Sequence, residues 1–461
     1  MDKANYMTVR EIYEGVKDKS ISDNTPVEID GWVTNNRFMG KMGFLTFNDG
    51  TCFLNAQLVY STETPDCEMI EKLRLGASIS IVGAVRLTPD NPQPFEVALA
   101  SVRLVGDVDE SYPLQKKKTS FDYLRTIPHL RPRTNTFRAV FRVRSVLSMA
   151  IHEFFQGEGF VYVHTPILTS NDCEGAGETF QVVTDISHPE EYFGKKVTMT
   201  VSGQLHVEPF CMVYRDVYTF GPTFRAEKSS TTHHAAEFWM IEPEIAFADL
   251  YDDMDLIEDF LKYITKYVMA NCPDEIDFFN KFIDPSLKKR LTDFVEKPFT
   301  TVEYTDAINI LLKAKAEGHQ FKNDNIYWGL DLESEHERYL TEQVFKGPIF
   351  LTNYPKEIKA FYMKQNPDGK TVAAVDLLVP EIGELVGASE READYAKLLS
   401  RMQELKMNIP AYQWYLDLRR YGTCPHAGFG LGFERMMQFV TGMQNIRDVE
   451  AYPRTYKECD F

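Results

Sequence analysis

Nowhere in its 461 residues does the chain carry the roughly 20 consecutive apolar residues that a membrane-spanning helix needs. Its opening, Met1-Asp2-Lys3-Ala4-Asn5-Tyr6, has no apolar core, which argues against an export signal. Cysteine is sparse: seven residues, at 52, 67, 173, 211, 272, 424 and 459, with no close pair of the kind that holds zinc or cycles a disulfide. An odd, scattered set implies free thiols in a reducing cytoplasm. Positive charge is short as well, 50 Lys and Arg against 68 Asp and Glu, for a formal net charge of -18. That balance speaks against a generic nucleic-acid binder, so any polyanion must be met by a local basic surface. Internal repeats and low-complexity tracts are lacking too. What remains, 44% hydrophobic and 26% charged residues over this length, is the composition of a globular protein of two or three domains.

Between about 26 and 105 the pattern is one of short strands. Val27, Ile29, Gly31 and Val33 alternate with more polar positions, as do Ile79, Ile81, Gly83 and Val85, and then Val97, Leu99, Val102 and Leu104. The runs 42–48 and 53–60 complete about five strands, separated by turn signals such as Asn48-Asp49-Gly50. Five strands in so short a span suggest a small Greek-key barrel of the OB type; an edge-packed β-sandwich fits the same alternation. Residues 112–135 read as a linker containing Lys116, Lys117, Lys118, Pro128 and Arg131-Pro132-Arg133. A helix is predicted over 136–156, where Val140, Val143, Leu147, Ile151 and Phe154 form one apolar face. Beyond it, strands at 160–163, 197–202, 212–224, 237–247 and 371–379 mix with helices at 249–270, 303–315, 390–404 and 433–441. Mixed order without β-α alternation predicts an α+β fold with an antiparallel sheet. The expected division is 1–111, a linker at 112–135, and a second domain over 136–461.

Three segments carry candidate chemistry. In the first, Phe224-Arg225-Ala226-Glu227 and His234-Ala235-Ala236-Glu237-Phe238 flank a polar loop, which is a hairpin. A guanidinium fixed there suits a phosphate, and a neighbouring aromatic offers a face to a base. An exposed hairpin with a surface Arg225–Glu227 pair fits equally well. The second is Gly428-Phe429-Gly430-Leu431-Gly432-Phe433-Glu434-Arg435. Its glycines let a strand approach a ligand and turn into a helix, although such corners are common. Arg435 then sits at the positive end of a helix dipole, which disfavours a cation by a few tenths of a kcal/mol, so it needs another task. The third runs from Asp376 to Arg391 and places Asp376 within an apolar strand and Glu384 beyond it. A Mg²⁺ ion beside phosphates would satisfy both acids; a solvated acidic rim is the alternative.

Together these segments resemble the three signature motifs of class II aminoacyl-tRNA synthetases. The helix over 138–156 with the strand ending at Pro166 resembles motif 1, the dimer-interface element. Phe224-Arg225-x-Glu227 … His234-x-x-x-Phe238 resembles motif 2, and Gly430-x-Gly432-x-Glu434-Arg435 resembles motif 3. With an N-terminal OB-fold barrel the layout is similar to the aspartyl/asparaginyl/lysyl subgroup, from about 27 to 455. The resemblance implies ATP as substrate, Mg²⁺, a tRNA partner and a homodimer. By it, Arg225 holds the α-phosphate, Phe238 and Arg435 cover the two faces of adenine, and His234 reaches the terminal phosphate. Glu227 contacts ATP and the tRNA acceptor end, Gly430 and Gly432 belong to the ATP-binding motif, and Asp376 and Glu384 bind Mg²⁺. Glu174, Ser202, Gln204 and Glu242 fall in the segments that cradle the substrate amino acid, with Glu174, Gln204 and Glu242 matching its ammonium site. Arg391 matches the arginine facing the substrate side chain.

In aspartyl enzymes a lysine stands three residues after the matched glutamine; here that place is Val207. A desolvated carboxylate short of a cation is costly whereas a neutral amide is not, so the resemblance implies L-asparagine, and tRNA(Asn) as its acceptor. The rival readings are an aspartyl enzyme that also charges tRNA(Asn), a catalytically silent RNA-binding paralogue, and a tRNA-independent asparagine synthetase. Arg37, Phe44 and Gln57 match barrel positions that hold the central anticodon uridine, an aromatic platform with an amide fork. Phe44 also reads as a barrel core residue; the lysines at 116–118 fit a local basic contact to the tRNA backbone, which would reconcile tRNA binding with an acidic chain, or an ordinary solvated run. His233 departs from the pattern, which often has arginine before the motif 2 histidine. The last residues, 456–461, read as a frayed tail.

Overall fold

The alternation between 26 and 106 closes into a barrel rather than opening into a sandwich. Its strands are β1 (Pro26–Met39), β2 (Met42–Asn48), β3 (Ala56–Ser61), β4 (Ser78–Leu87) and β5 (Phe95–Gly106), in the order β1-β2-β3-β5-β4. Val27, Ile29, Val33, Leu45, Phe47, Leu58, Ile79, Ile81, Val85 and Val97 turn inward and fill it. Helix α1 (Val9–Lys17), which the strand pattern does not foretell, packs Val9 and Ile12 into that core. It is held by a capping box between Thr8 and Glu11. Helix α2 (Cys67–Glu71) links β3 to β4, and α3 (Phe121–Arg125) follows the barrel.

The computed structural model describes residues 5–117, 119–173, 178–229 and 231–461. They form two compact units, 1–142 and 143–461, which divide within helix α4 (Asn135–Gly157). The face of α4 expected to be apolar is buried throughout: Val140, Val143, Leu147 and Ile151 completely, Phe154 nearly so.

The second unit is built on an eight-stranded sheet and opens with its edge strand β6 (Val161–Tyr162), the separate pair β7 (Leu168–Thr169) and β8 (Thr198–Met199), and α5 (Gln204–Tyr214). Next come β9 (Asp216–Phe224), β10 (Glu237–Ala246), α6 (Leu250–Asn271), α7 (Pro273–Phe282), α8 (Leu287–Glu296), β11 (Thr300–Glu303) and α9 (Tyr304–Ala316). The chain continues with α10 (Ser334–Arg338), β12 (Ile349–Thr352), β13 (Ala374–Val379), β14 (Gly383–Glu390), α11 (Tyr395–Glu404), α12 (Gln413–Asp417), β15 (His426–Gly432) and α13 (Phe433–Thr441). The large sheet runs β11-β12-β13-β14-β15-β10-β9-β6, antiparallel except for its outermost pairs. An α+β fold results, as expected.

Several expectations need correction. β3 starts at Ala56 rather than at 53, β8 ends at Met199 rather than at 202, and β13 starts at Ala374 rather than at 371. Residues 212–214 are not strand: they end α5, which stops at Arg215, whose φ of 72° breaks the helix before β9 begins. Residues 390–394 are not helix either. Glu390 completes β14, and Asp394 then caps α11 by accepting the Lys397 N–H. Among the described residues no helix is long and apolar enough to cross a membrane.

Candidate active site

Period-two alternation puts Phe238, Met240, Glu242 and Glu244 on one face of β10. Its neighbour β15 answers with Gly428, Gly430 and Gly432, which carry no side chain on that face. A Cβ on Gly430 would come within 2.8 Å of Met240 Cε, so glycine keeps this floor open. The β9–β10 hairpin pairs Phe224 with Glu237, and the Arg225 N–H donates to the Ala236 carbonyl at 3.0 Å.

One cavity results, and it is lined by Arg225, Glu227, His234, Phe238, Gly430, Gly432 and Arg435, all seven residues expected around the nucleotide. Glu384 and His233 line it as well. The Arg225 guanidinium lies 5.3 Å from the Phe238 ring centroid. Arg435, at the start of α13, donates to the Glu384 carbonyl at 2.8 Å and lies 3.4 Å from its carboxylate. Burial lowers the His234 pKa, and the cations of Arg435 and Arg225 push it further down. That imidazole is therefore a neutral hydrogen-bonding group at physiological pH.

Asp376 and Glu384 converge across the β13–β14 ladder, where Asp376 faces Gly387. A Cβ on Gly387 would lie 3.2 Å from Glu384 Oε1 and 3.6 Å from Asp376 Oδ1, so glycine leaves a gap between two carboxylates. Hard oxygen donors around such a gap fit Mg²⁺. Asp376 is no solvated rim: its side chain is 13% exposed and Lys359 Nζ sits 2.6 Å from it. Burial raises the Asp376 pKa, Lys359 opposes this, and the charge on Glu384 adds to it. Glu384 is pushed up by burial but held below the usual range by Arg435 and Lys359. Glu337, on α10, accepts the Glu384 N–H at 3.2 Å. Burial, then the charge of Glu384, pushes Glu337 up to about 8.

Further along the same face lies a buried polar network. Glu242 accepts from the Ser202 hydroxyl and from the Gly203 N–H at 2.8 Å. Gln204 donates to Glu208 at 2.9 Å, one helical turn on. Glu208 is also met by Arg419 at 2.6 Å, Tyr415 at 2.7 Å and His426 at 2.7 Å. Burial pushes the Glu208 carboxyl up, but Arg419 and His426 outweigh it and hold the group well below the usual range. Arg391 forks onto Glu244, at 2.5 Å from Nη2 and 3.2 Å from Nε, while its Nη1 donates to Ser389 at 2.6 Å. Val207 packs in an apolar cluster with Val163, Cys211, Val217, Ala246 and Cys424, so that position adds no charge. Glu174 and Lys118 lie outside the described residues.

On the barrel, Arg37 and Phe44 are direct cross-strand partners, and Gln57 faces Thr46 two residues along. Phe44 stays partly exposed while its neighbours Leu45 and Phe47 are completely buried, so it belongs to the outer face and not to the core. Gln57 donates to Glu96 at 2.6 Å. The residues at 456–461 are not frayed. Arg454 donates to the Asp460 and Phe461 carbonyls, Thr455 pairs with Glu458, and Tyr456 lines the cavity.

Sequence reasoning missed Glu337, Glu208, Tyr415, Arg419 and His426; it marked the segments 359–363 and 239–244 as resembling the asparaginyl type but gave Lys359 and Glu244 no role. Two carried a local signal: Glu244 follows Glu242 by two on a strand, and Glu208 follows Gln204 by four on a helix.

The chain is similar to known proteins in sequence and in fold. Residues 121–456 match the model described as tRNA synthetases class II (D, K and N), and 27–105 match that of an OB-fold nucleic acid binding domain. An asparagine–tRNA ligase of Clostridium botulinum is 52% identical over 469 residues, covering 99% of this chain and 100% of that protein. One from Bacillus cereus is 52% identical over 447 residues, 94% of this chain and 96% of that one. The crystal structure of asparaginyl-tRNA synthetase from Pyrococcus horikoshii complexed with asparaginyl-adenylate superposes with a TM-score of 0.84 at 36% identity, covering 94% of this chain and 95% of that one.

Proposed function

This chain belongs to the class II tRNA synthetases of the D, K and N group and is an asparagine–tRNA ligase, and we propose that both half-reactions run on the residues gathered along β10, β14 and β15. The observation that carries this assignment is the single cavity in which Arg225, Glu227, His234, Phe238, Gly430, Gly432 and Arg435 meet.

Adenine lies between the Phe238 ring and the Arg435 guanidinium, over a floor kept bare by Gly430 and Gly432. Arg225 grips the α-phosphate, neutral His234 reaches the terminal phosphate, and Glu227 contacts ATP and later the tRNA end. Asp376 and Glu384 would hold Mg²⁺, which would supply positive charge to the phosphate oxygens. Lys359 neutralises Asp376 in its absence.

L-asparagine binds with its ammonium toward Glu174, Gln204 and Glu242, in the pocket to which Ser202 belongs, and its side chain toward Arg391. Its carboxylate oxygen bonds to the α-phosphorus in line as the bond to pyrophosphate breaks, giving asparaginyl-adenylate. No proton moves in this step, so no general base is needed; positioning and the Arg225 cation stabilise the charge on the transferring group. A terminal ribose hydroxyl of tRNA(Asn) then attacks the carbonyl carbon, losing its proton as AMP departs. Selection against aspartate is supported by the Arg391–Glu244 pair. Its net charge is zero, and no further cation stands at Val207, so a second carboxylate would enter uncompensated.

Residues 1–111 form the anticodon-binding domain, 112–135 the linker and 136–461 the catalytic domain. Arg37, Phe44 and Gln57 on the outer barrel face take the central anticodon base. The enzyme works as a cytoplasmic homodimer through the motif 1 region, where Met149, Val161, Ile167 and Leu168 leave apolar surface exposed. Arg435→Ala, assayed by ATP–pyrophosphate exchange, is expected to lower kcat/KM for ATP at least a hundredfold, about 2.7 kcal/mol. Undiminished exchange would overturn the nucleotide assignment.

A further inference from the structure

Where β15 ends at Gly432, paired with Met240, the next residue of β10, Trp239, has no strand partner on that side. Its N–H donates instead to Glu434 Oε2 at 2.9 Å. Glu434 is 2% exposed and its other oxygen accepts from Arg144 Nη2 at 2.7 Å. Arg144, on α4, also donates to the Val449 carbonyl at 2.9 Å and lies 4.6 Å from the Phe433 ring centroid. One carboxylate thus ties three elements together. It fixes the backbone next to Phe238, it precedes Arg435 in the first turn of α13, and it is anchored by a cation from α4.

We infer that Arg144 and Glu434 are positioning residues for ATP, setting the gap between the Phe238 ring and the Arg435 guanidinium from a carboxylate at the cavity wall. The inference rests on the assignment of those two groups to the faces of adenine. A planar base fills a gap whose width matters to tenths of an ångström, because dispersion contact decays steeply with separation. Charge and geometry both point the same way. The Arg144 guanidinium divides its fork, Nη2 to Glu434 and Nη1 to the Val449 carbonyl, and the carboxylate, 2% exposed, has little water to take in its place. Without Arg144, Glu434 is left as a buried charge that draws α13 toward solvent, and Arg435 goes with it.

The test is ATP–pyrophosphate exchange on the full chain, measuring KM for ATP and for asparagine separately in Arg144→Met, Arg144→Lys, Glu434→Gln and, as reference, Arg435→Ala. Arg144→Met and Glu434→Gln are expected to raise KM for ATP about tenfold while KM for asparagine stays within about twofold, equivalent to about 1.4 kcal/mol of ATP binding. Arg144→Lys, which keeps the cation but loses the fork, should fall between wild type and Arg144→Met. If Arg144→Met does not fold, as judged by circular dichroism, Arg144→Lys and Glu434→Gln carry the test alone. A fall in kcat with both KM values unchanged would mark the pair as merely structural and overturn the inference. So would an unchanged KM for ATP in variants where Arg435→Ala raises it. If Arg435→Ala itself leaves KM for ATP unmoved, the adenine assignment fails and the inference falls with it.

Discussion

Replacing Arg419 by methionine probes the buried network beneath the amino-acid pocket. Glu208 and Arg419 have no exposed side-chain surface, and the arginine gives Glu208 its main compensation. Removing one partner of such a pair costs about 3–5 kcal/mol, because the other charge stays in place without a counter-ion. For a unit larger than 250 residues, each kcal/mol lowers Tm by roughly 2 °C, so the loss should be about 6–10 °C. The pH dependence should also change sign. In the native chain the Glu208 pKa lies below its unfolded value. Its contribution is complete above the ordinary glutamate range and is lost as pH falls through the folded pKa. Without Arg419 the burial that raises this pKa dominates. The folded value then exceeds the unfolded one, and stability declines as pH rises through the interval between them. The Tm of Arg419→Met relative to wild type should therefore recover on going from pH 8 to pH 5.5. Gln204, which leans on Glu208, should loosen as well and raise KM for asparagine more than KM for ATP. The double variant Glu208→Gln/Arg419→Met removes both charges and should regain at least about half the lost stability. A Tm within 2 °C of wild type at pH 8, or a difference independent of pH, would refute the reasoning.

Two other substitutions test separate parts of the molecule. Gly387→Ala places a methyl 3.2 Å from Glu384 Oε1 and 3.6 Å from Asp376 Oδ1. The Mg²⁺ concentration for half-maximal exchange should rise about tenfold with Tm nearly unchanged, whereas an unaltered Mg²⁺ requirement would remove the metal from this gap. Phe44→Ala removes a stacking platform worth ~1–3 kcal/mol, so KM for tRNA(Asn) should rise about 5- to 150-fold while amino-acid activation is untouched. A normal KM for tRNA would dismiss that face as the anticodon site.

How far the sequence could be read depended on how locally each feature is encoded. The barrel strands, whose alternation is written in the chain, and α13, whose limits fall where glycine spacing and apolar periodicity put them, are determined by neighbours in the chain. The cavity residues were legible because two short windows, 225–238 and 430–435, each hold several of them, and adjacent strands bring the windows together. Lys359 sits 17 positions from Asp376 and Arg419 lies 211 from Glu208; neither pairing leaves a trace in local pattern. The end of α5 was misread because Cys211, Met212 and Val213 suit a strand as well as a helix, and only the left-handed turn at Arg215 separates them. Phe44 was ambiguous for a related reason. Alternation says which residues share a face, but closure of the barrel decides which face is inside.

The central claim is that a nucleotide cavity adjoins a pocket whose side-chain-facing arginine, Arg391, is already balanced by Glu244. It is tested most directly by ATP–pyrophosphate exchange run side by side with asparagine and aspartate. Exchange supported by asparagine, with aspartate at least about a hundredfold poorer in kcat/KM, is the expected result. Equal or greater exchange with aspartate would contradict the account.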